Sequence, residues 1–133
     1  DLWAFPTAEQ LKDVSIEEYN QLRMGYRSKY IFDAVSRILD GRLALDEVEC
    51  QSSTEEATEM LCTVKGIGVK VASCALLFGF ARLDAFPVDV WIKKVIEKYF
   101  SNGDKPFSPD ALGEYAGIAQ QYLFYYARFE NNV

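Results

Sequence analysis

The chain has no histidine. That removes the imidazole general base and any zinc centre with imidazole ligands, and with them much hydrolase and metalloenzyme chemistry. Its three cysteines, Cys50, Cys62 and Cys74, are too few for an iron-sulfur cluster held by four thiolates and lack the close pairing of a metal knuckle. Reduced thiols in an intracellular protein are expected. No apolar run reaches the roughly 18 residues of a membrane span, and no basic patch followed by an apolar block opens the chain. It reads as soluble and unsecreted, with no membrane partner. Also missing are an internal repeat and any alternating apolar run long enough to argue for a strand.

What is present is enough apolar material for a real core: 133 residues, half of them hydrophobic and 26% charged. One helical domain over residues 1–133 is expected. The net charge of −6 argues at face value against a nucleic-acid partner, but it is unevenly spread. Residues 40–60 hold seven acids (Asp40, Asp46, Glu47, Glu49, Glu55, Glu56, Glu59) against Arg42 alone. Residues 61–100 hold Lys65, Lys70, Arg82, Lys93, Lys94 and Lys98 against Asp84, Asp89 and Glu97, so a local basic surface is available.

Helix-start signals recur. Thr7 with Gln10, Ser15 with Glu18, and Ser53 with Glu56 each place a hydroxyl three residues before a side chain that can bond back to it. Tyr30, Ile31, Ala34, Val35, Ile38 and Leu39 form a stripe at helical spacing that stops at Gly41, a residue suited to a left-handed helix end. Val71, Ala72, Ala75, Leu76 and residues 78–80 predict a helix apolar on most of its circumference. Ser108 and Pro109 are expected to open a last helix ending near Asn131 and Asn132. Residues 101–108 are expected to be the main flexible loop. The prediction is therefore an all-α helix bundle.

The informative stretch runs from Leu61 to Cys74 and reads as helix, tight turn, helix. Gly66 and Gly68 allow backbone conformations closed to other residues and close approach to the main chain. Unpaired N–H groups there would suit one phosphate. The plain alternative is a short connection and nothing more. Lys70 falls in the first turn of the second helix, where the macrodipole disfavours a cation. In a partly apolar cleft its amine would lose its proton more readily and become a nucleophile; otherwise it is an exposed lysine balancing phosphate charge. Asp89, before apolar Val90, Trp91, Val95 and Ile96, suits a helix N-cap, and the same carboxylate could stabilise positive charge beside Lys70.

Gly66-Ile-Gly68-Val-Lys70-Val-Ala-x-Cys74 followed by Pro87-Val-Asp89-Val closely resembles the helix-hairpin-helix DNA glycosylases, and within them the 8-oxoguanine glycosylase/AP lyase branch. The likeness extends to Gly25-Tyr26-Arg27-x-Lys-Tyr30 and to Tyr115-Ala-Gly-Ile-Ala-Gln120-x-x-Leu-Phe124, so it spans about residues 5–130. The resemblance implies a base-excision repair enzyme on double-stranded DNA. In it Lys70 attacks the sugar C1′ of a flipped nucleotide, expels oxidised guanine and forms a Schiff base that can lead to strand cleavage, while Asp89 stabilises the cationic sugar. It further implies that Gln120 reads the edge of the extruded base, that Phe124 and Cys74 sandwich it and that Phe78 lines the pocket. Taken singly, Cys74, Phe78 and Phe124 would ordinarily be core. By the same resemblance Tyr26 intrudes beside the lesion's partner and Arg27 helps recognise that partner. Gly66, Gly68, Val71 and Val90 offer backbone contacts to phosphates, and the carbonyls of Cys62, Val64 and Ile67 match a cation site. No redox cofactor is implied and a monomer is expected, working in the cytoplasm or nucleoid of a prokaryote or the nucleus of a eukaryote.

Two departures from the family pattern are evident. Relatives carry a long N-terminal portion, so the chain is expected to be a fragment lacking it. Trp91 stands where some relatives carry a phosphate-contacting histidine, and Ala127 where an acid pairs with that histidine; the two changes are mutually consistent. Two other functions stay open at the level of sequence: a non-catalytic DNA-binding module, and an alkylated-base glycosylase of the same fold, against which Lys70 argues.

Overall fold

A computed structural model describes residues 4–100 and 106–129. All regular structure among them is helical: α1 (Ile16–Gln21), α2 (Ser28–Leu39), α3 (Leu45–Glu49), α4 (Thr54–Cys62), α5 (Val69–Gly79), α6 (Val90–Val95) and α7 (Ala116–Phe129). Short 3-10 turns at Glu9–Leu11, Gly25–Arg27 and Pro109–Tyr115 and a π turn at Ile96–Phe100 join them. No helix among the described residues is long and apolar enough to cross a membrane.

Local chemistry sets the helix starts. Ser15 and Glu18 form the full reciprocal box at α1, with Ser15 N donating to Glu18 Oε2 at 2.8 Å and Glu18 N to Ser15 Oγ at 3.2 Å. At α4 only half of it forms: Glu56 N donates to Ser53 Oγ at 3.1 Å, while the Glu56 carboxylate accepts a hydrogen bond from Ser52 Oγ at 2.5 Å. Thr7 and Gln10 also bond reciprocally, at 2.9 and 3.2 Å, yet head only the 3-10 turn. Gly41 ends α2 with φ +76°, as its position predicts.

The last helix differs from expectation. Ser108 caps the 3-10 stretch Pro109–Tyr115 instead, and that stretch is broken at Gly113 with φ 70° and ψ −161°. Only then does α7 begin, so the polypeptide turns before entering the bundle. Residues 101–105 and the expected end at Asn131 and Asn132 lie outside the described residues.

One core cluster joins α3, α4 and α5 through Val48, Ala57, Leu61, Val64, Ala72, Leu76 and Leu77. A second sets Phe86, Ile92 and Ala116 against Leu112, Leu123 and Phe124. The two meet at the link between α5 and α6. There Thr54 Oγ1 donates to Asp84 Oδ2 at 2.5 Å, and the Arg82 guanidinium holds the Glu49 and Gln51 carbonyls. Gly117 N donates to Leu83 O at 2.7 Å. A Cβ on Gly117 would collide with Ala85 O and stand 2.5 Å from Leu77 Cδ1, so α7 enters against bare backbone.

Gly117→Ala is therefore expected to destabilise the chain by about 1–3 kcal/mol through overpacking against main chain that cannot move aside, read as a lower urea midpoint. The caps also predict an acid limb. Ser15's backbone N–H, then its hydroxyl, holds the Glu18 carboxyl below its ordinary 4.5, and the Ser52 hydroxyl does the same for Glu56. A lowered folded value means the folded state binds fewer protons, so this stabilisation is present above about pH 4.5 and is lost as pH falls through the lowered values. The urea midpoint should fall with acid over that window, and less steeply in Ser15→Ala/Ser52→Ala.

Candidate active site

Helical spacing brings the candidate residues together. Lys70, Cys74 and Phe78 recur every four residues on α5, and Gln120 and Phe124 are four apart on α7, so each set lies on one helix face. These five, with Pro87, Asp89 and Gln121, line one cavity of about 210 Å³. That is below the roughly 300–1,000 Å³ of drug-sized ligand sites, on the scale of a single flat ring system. All six predicted catalytic and base-pocket residues are in it.

Each is held by its own element. Asp89 is the N-cap of α6, with Oδ1 accepting from Trp91 N at 3.0 Å and Ile92 N at 2.9 Å. Both cap bonds fall on one oxygen, so Oδ2 keeps its acceptor capacity. Lys70 is exposed at the cavity rather than enclosed by it. Phe78 is 65% exposed and Val71 47%, so α5, apolar on most of its circumference, is not covered on every side: Phe78 lines the cavity instead of meeting a neighbouring helix. Gln120 is only 3% exposed. Its Nε2 donates to Pro87 O at 2.9 Å, and its Oε1 accepts from Gln121 Nε2.

Pro87 and Gln121 lie outside the set that the sequence predicts for this cavity. Gln121 has a signal, a second amide next to Gln120 on a helix whose one charged side chain is Arg128. Pro87 has none, because it contributes a backbone carbonyl that every residue has. Ala127 is fully buried and Trp91 lies under the Lys94 ammonium, 4.9 Å from the ring centroid.

The hairpin of α4, the turn at 63–68 and α5 flanks this cavity. Gly66 has φ +91°, which only glycine adopts easily. A Cβ there would collide with the Tyr30 ring, so the bulky group that approaches this glycine belongs to the chain itself. Gly68 departs from expectation: at φ −101° its backbone is ordinary, and a Cβ would meet nothing within 4 Å. Its surroundings, not its conformation, are what is open. The N–H groups of Gly66, Gly68, Val71 and Val90 donate no hydrogen bond among the described residues. Val71 and Val90 are exposed, Val90 at 68%. Two helix N-termini thus present unused donors to solvent, the arrangement that receives an anion. Lys65 and Lys70 are exposed on either side of the turn in sequence, and Lys93 and Lys94 are exposed in the last turn of α6, whereas Arg82 is held by two carbonyls.

In the same turn the carbonyls of Cys62 and Ile67 accept no backbone hydrogen bond among the described residues, and Val64 O accepts one, from Ile67 N at 3.0 Å. Three carbonyls with spare lone pairs fit the hard, oxygen-seeking kind of cation that the resemblance implies.

Tyr26 and Arg27 sit on the 3-10 turn between α1 and α2. Tyr26 is 63% exposed, with the Arg27 guanidinium 4.7 Å over its ring. The Tyr26 and Tyr30 rings meet edge to face with centroids 5.9 Å apart, so the Tyr30 ring braces both the exposed tyrosine and Gly66 of the hairpin.

Bundle and hairpin together define a helix-hairpin-helix protein of DNA-glycosylase architecture. No family model matches the chain, but individual proteins do. It is 34% identical over 140 residues to the N-glycosylase/DNA lyase OGG1 of Arabidopsis thaliana, covering 90% of this chain and 37% of that one. The Clostridium acetobutylicum 8-oxoguanine glycosylase/lyase, solved with double-stranded DNA containing cytosine opposite 8-oxoG, superposes with a TM-score of 0.85 at 36% identity, over 98% of this chain and 47% of that one. MBOgg1 in complex with a low-affinity DNA ligand gives 0.86 at 40% identity, over 98% and 47%. In sequence and in structure alike the chain matches helix-hairpin-helix DNA glycosylases of the 8-oxoguanine glycosylase/lyase branch. It spans less than half the length of each of these relatives.

The two hairpin glycines should behave differently. Gly66→Ala is expected to cost about 1–3 kcal/mol in urea unfolding, from positive φ and the Tyr30 contact. Gly68→Ala should cost under about 1 kcal/mol by the same measurement, since its backbone is ordinary and an added methyl group meets nothing within 4 Å.

Proposed function

We propose that this chain carries the catalytic face of a base-excision repair glycosylase with AP lyase activity, acting on 8-oxoguanine in double-stranded DNA, wherever the cell keeps its genome. The observation that carries this reading is the single cavity lined by Lys70, Asp89, Cys74, Phe78, Gln120 and Phe124. An amine, a carboxylate, an amide and two apolar faces around a base-sized space suit attack on a nucleoside and little else.

In this reading the hairpin and α6 N–H groups grip phosphates, Tyr26 fills space beside the base opposite the lesion, and Arg27 contacts that base. The damaged nucleotide turns out of the stack, at a cost of a few kcal/mol in lost pairing and stacking. Its base enters between Phe124 and Cys74, with Phe78 at the side and the Gln120 amide on its polar edge. The Lys70 ammonium gives up a proton to water and the amine attacks C1′. The bond from C1′ to the base nitrogen breaks, its electron pair leaves with the base, and the base takes up a proton. Asp89 faces the positive charge that gathers on the sugar meanwhile, an electrostatic contribution made only as that charge develops. Loss of the ammonium proton and opening of the sugar ring turn the new C1′–N bond into a Schiff base. Elimination of the phosphate β to it breaks the strand, and water then frees the lysine. A cation held by the Cys62, Val64 and Ile67 carbonyls would add positive charge to the phosphate side of the hairpin.

Borohydride should trap a covalent adduct between the chain and duplex DNA bearing 8-oxoguanine. Lys70→Ala should abolish the adduct while duplex affinity stays within about threefold, since the hairpin N–H groups that grip phosphate are untouched. Equal affinity for damaged and undamaged duplex with no adduct would instead favour a plain DNA-binding module. Asp89 allows a sharper separation of roles. Asparagine caps a helix about as well as aspartate, so Asp89→Asn should shift the urea midpoint little yet slow single-turnover base release about 100-fold.

A further inference from the structure

We propose that Gln121 is a positioning residue that, with Pro87, fixes which way round the Gln120 amide faces the cavity and so favours a guanine-type over an adenine-type edge. This rests on the reading that the cavity receives an extruded base.

An amide has nearly the same shape either way round but the opposite order of donor and acceptor. Guanine presents an acceptor, O6, beside a donor, N1–H; adenine presents a donor, the N6 amino group, beside an acceptor, N1. A half-turn of the last Gln120 torsion would exchange the edge that it matches. Two contacts oppose that turn. Gln120 Nε2 donates to Pro87 O at 2.9 Å, and Gln120 Oε1 accepts from Gln121 Nε2. A turned amide would set Oε1 against the Pro87 carbonyl, which can only accept, and would keep its bond to Gln121 only if that amide turned with it. Gln120 is 3% exposed, so no water shell repairs such a mismatch, and an unmatched buried polar atom is costly. After these two bonds Gln120 keeps one N–H and one lone pair, one donor and one acceptor in fixed order for a ligand. Gln121 itself lines the cavity beside Gln120, and its amide makes no other hydrogen bond among the described residues. It acts on the base through Gln120.

The test compares wild-type chain with Gln121→Met, which keeps length and packing but has no donor, and with Gln121→Ala. Single-turnover base release is measured on duplexes carrying 8-oxoguanine or 8-oxoadenine, and strand cleavage on a duplex with a preformed abasic site, which has no base to read. In both variants the preference for 8-oxoguanine over 8-oxoadenine should fall about tenfold, the effect of roughly one hydrogen bond. Release of 8-oxoguanine relative to abasic-site cleavage should fall by a similar factor. Ratios within about twofold of wild type overturn the proposal, including the case where all three rates drop together, as a purely structural role would make them. A wild-type chain that neither releases base nor cleaves the abasic site overturns the repair reading itself, and this proposal with it.

Discussion

The site depends on one backbone hydrogen bond, from Gly117 N to Leu83 O at 2.7 Å. Because Gly117 has no side chain, α7 starts in direct contact with the link between α5 and α6, close to Ala85 O and Leu77. Gln120 and Phe124 come next on the same helix, and the link continues through Pro87 to Asp89. A methyl group at Gly117 would therefore disturb the wall carrying the amide and the aromatic ring together with the segment carrying the carboxylate. Lys70, Cys74 and Phe78 meet them only because α5 leads into that same link. The cavity is thus a by-product of close helix packing, which is why it can be rigid without a large enclosing core.

The hairpin is organised by the opposite requirement, that its N–H groups remain unused. A helix start buried without partners would be destabilising, so the N-termini of α5 and α6 face solvent and the apolar side chains there, Val69, Val71 and Val90, are exposed as well. Tyr30 supports the turn from behind. Its ring fills the space over Gly66 and stands edge to face with Tyr26, so the loop carrying the exposed tyrosine and the hairpin turn are parts of one packed unit. Net negative charge is compatible with this, since the acids of residues 40–60 belong to α3, α4 and their flanks, while Lys65 and Lys70 flank the hairpin turn in sequence and Lys93 and Lys94 are exposed on α6.

Much of this is legible in the sequence, and the pattern of misses is physical. Ser15, Ser53, Gly41 and Asp89 act within three or four residues of themselves, and a one-dimensional reading finds such contacts. The grouping of Lys70, Cys74 and Phe78 with Gln120 and Phe124 is legible through family resemblance joined to helical spacing. Contacts between distant segments are not. Sequence suggests what Gly66 offers a partner outside, yet Tyr30 is its nearest neighbour; it suggests a special conformation for Gly68, which has an ordinary one. The break at Gly113 separates Ser108 from the helix that its capping chemistry predicts. Pro87 acts through its carbonyl, which no residue type reveals.

The central claim is that one particular amine, on the first turn of α5, reaches a sugar carbon of DNA. Mass mapping of proteolysed, borohydride-reduced complex with 8-oxoguanine duplex tests it most directly. The deoxyribose remnant should be found on Lys70 and on no other amine. Attachment at Lys65, Lys93, Lys94 or the terminal amine would contradict the account.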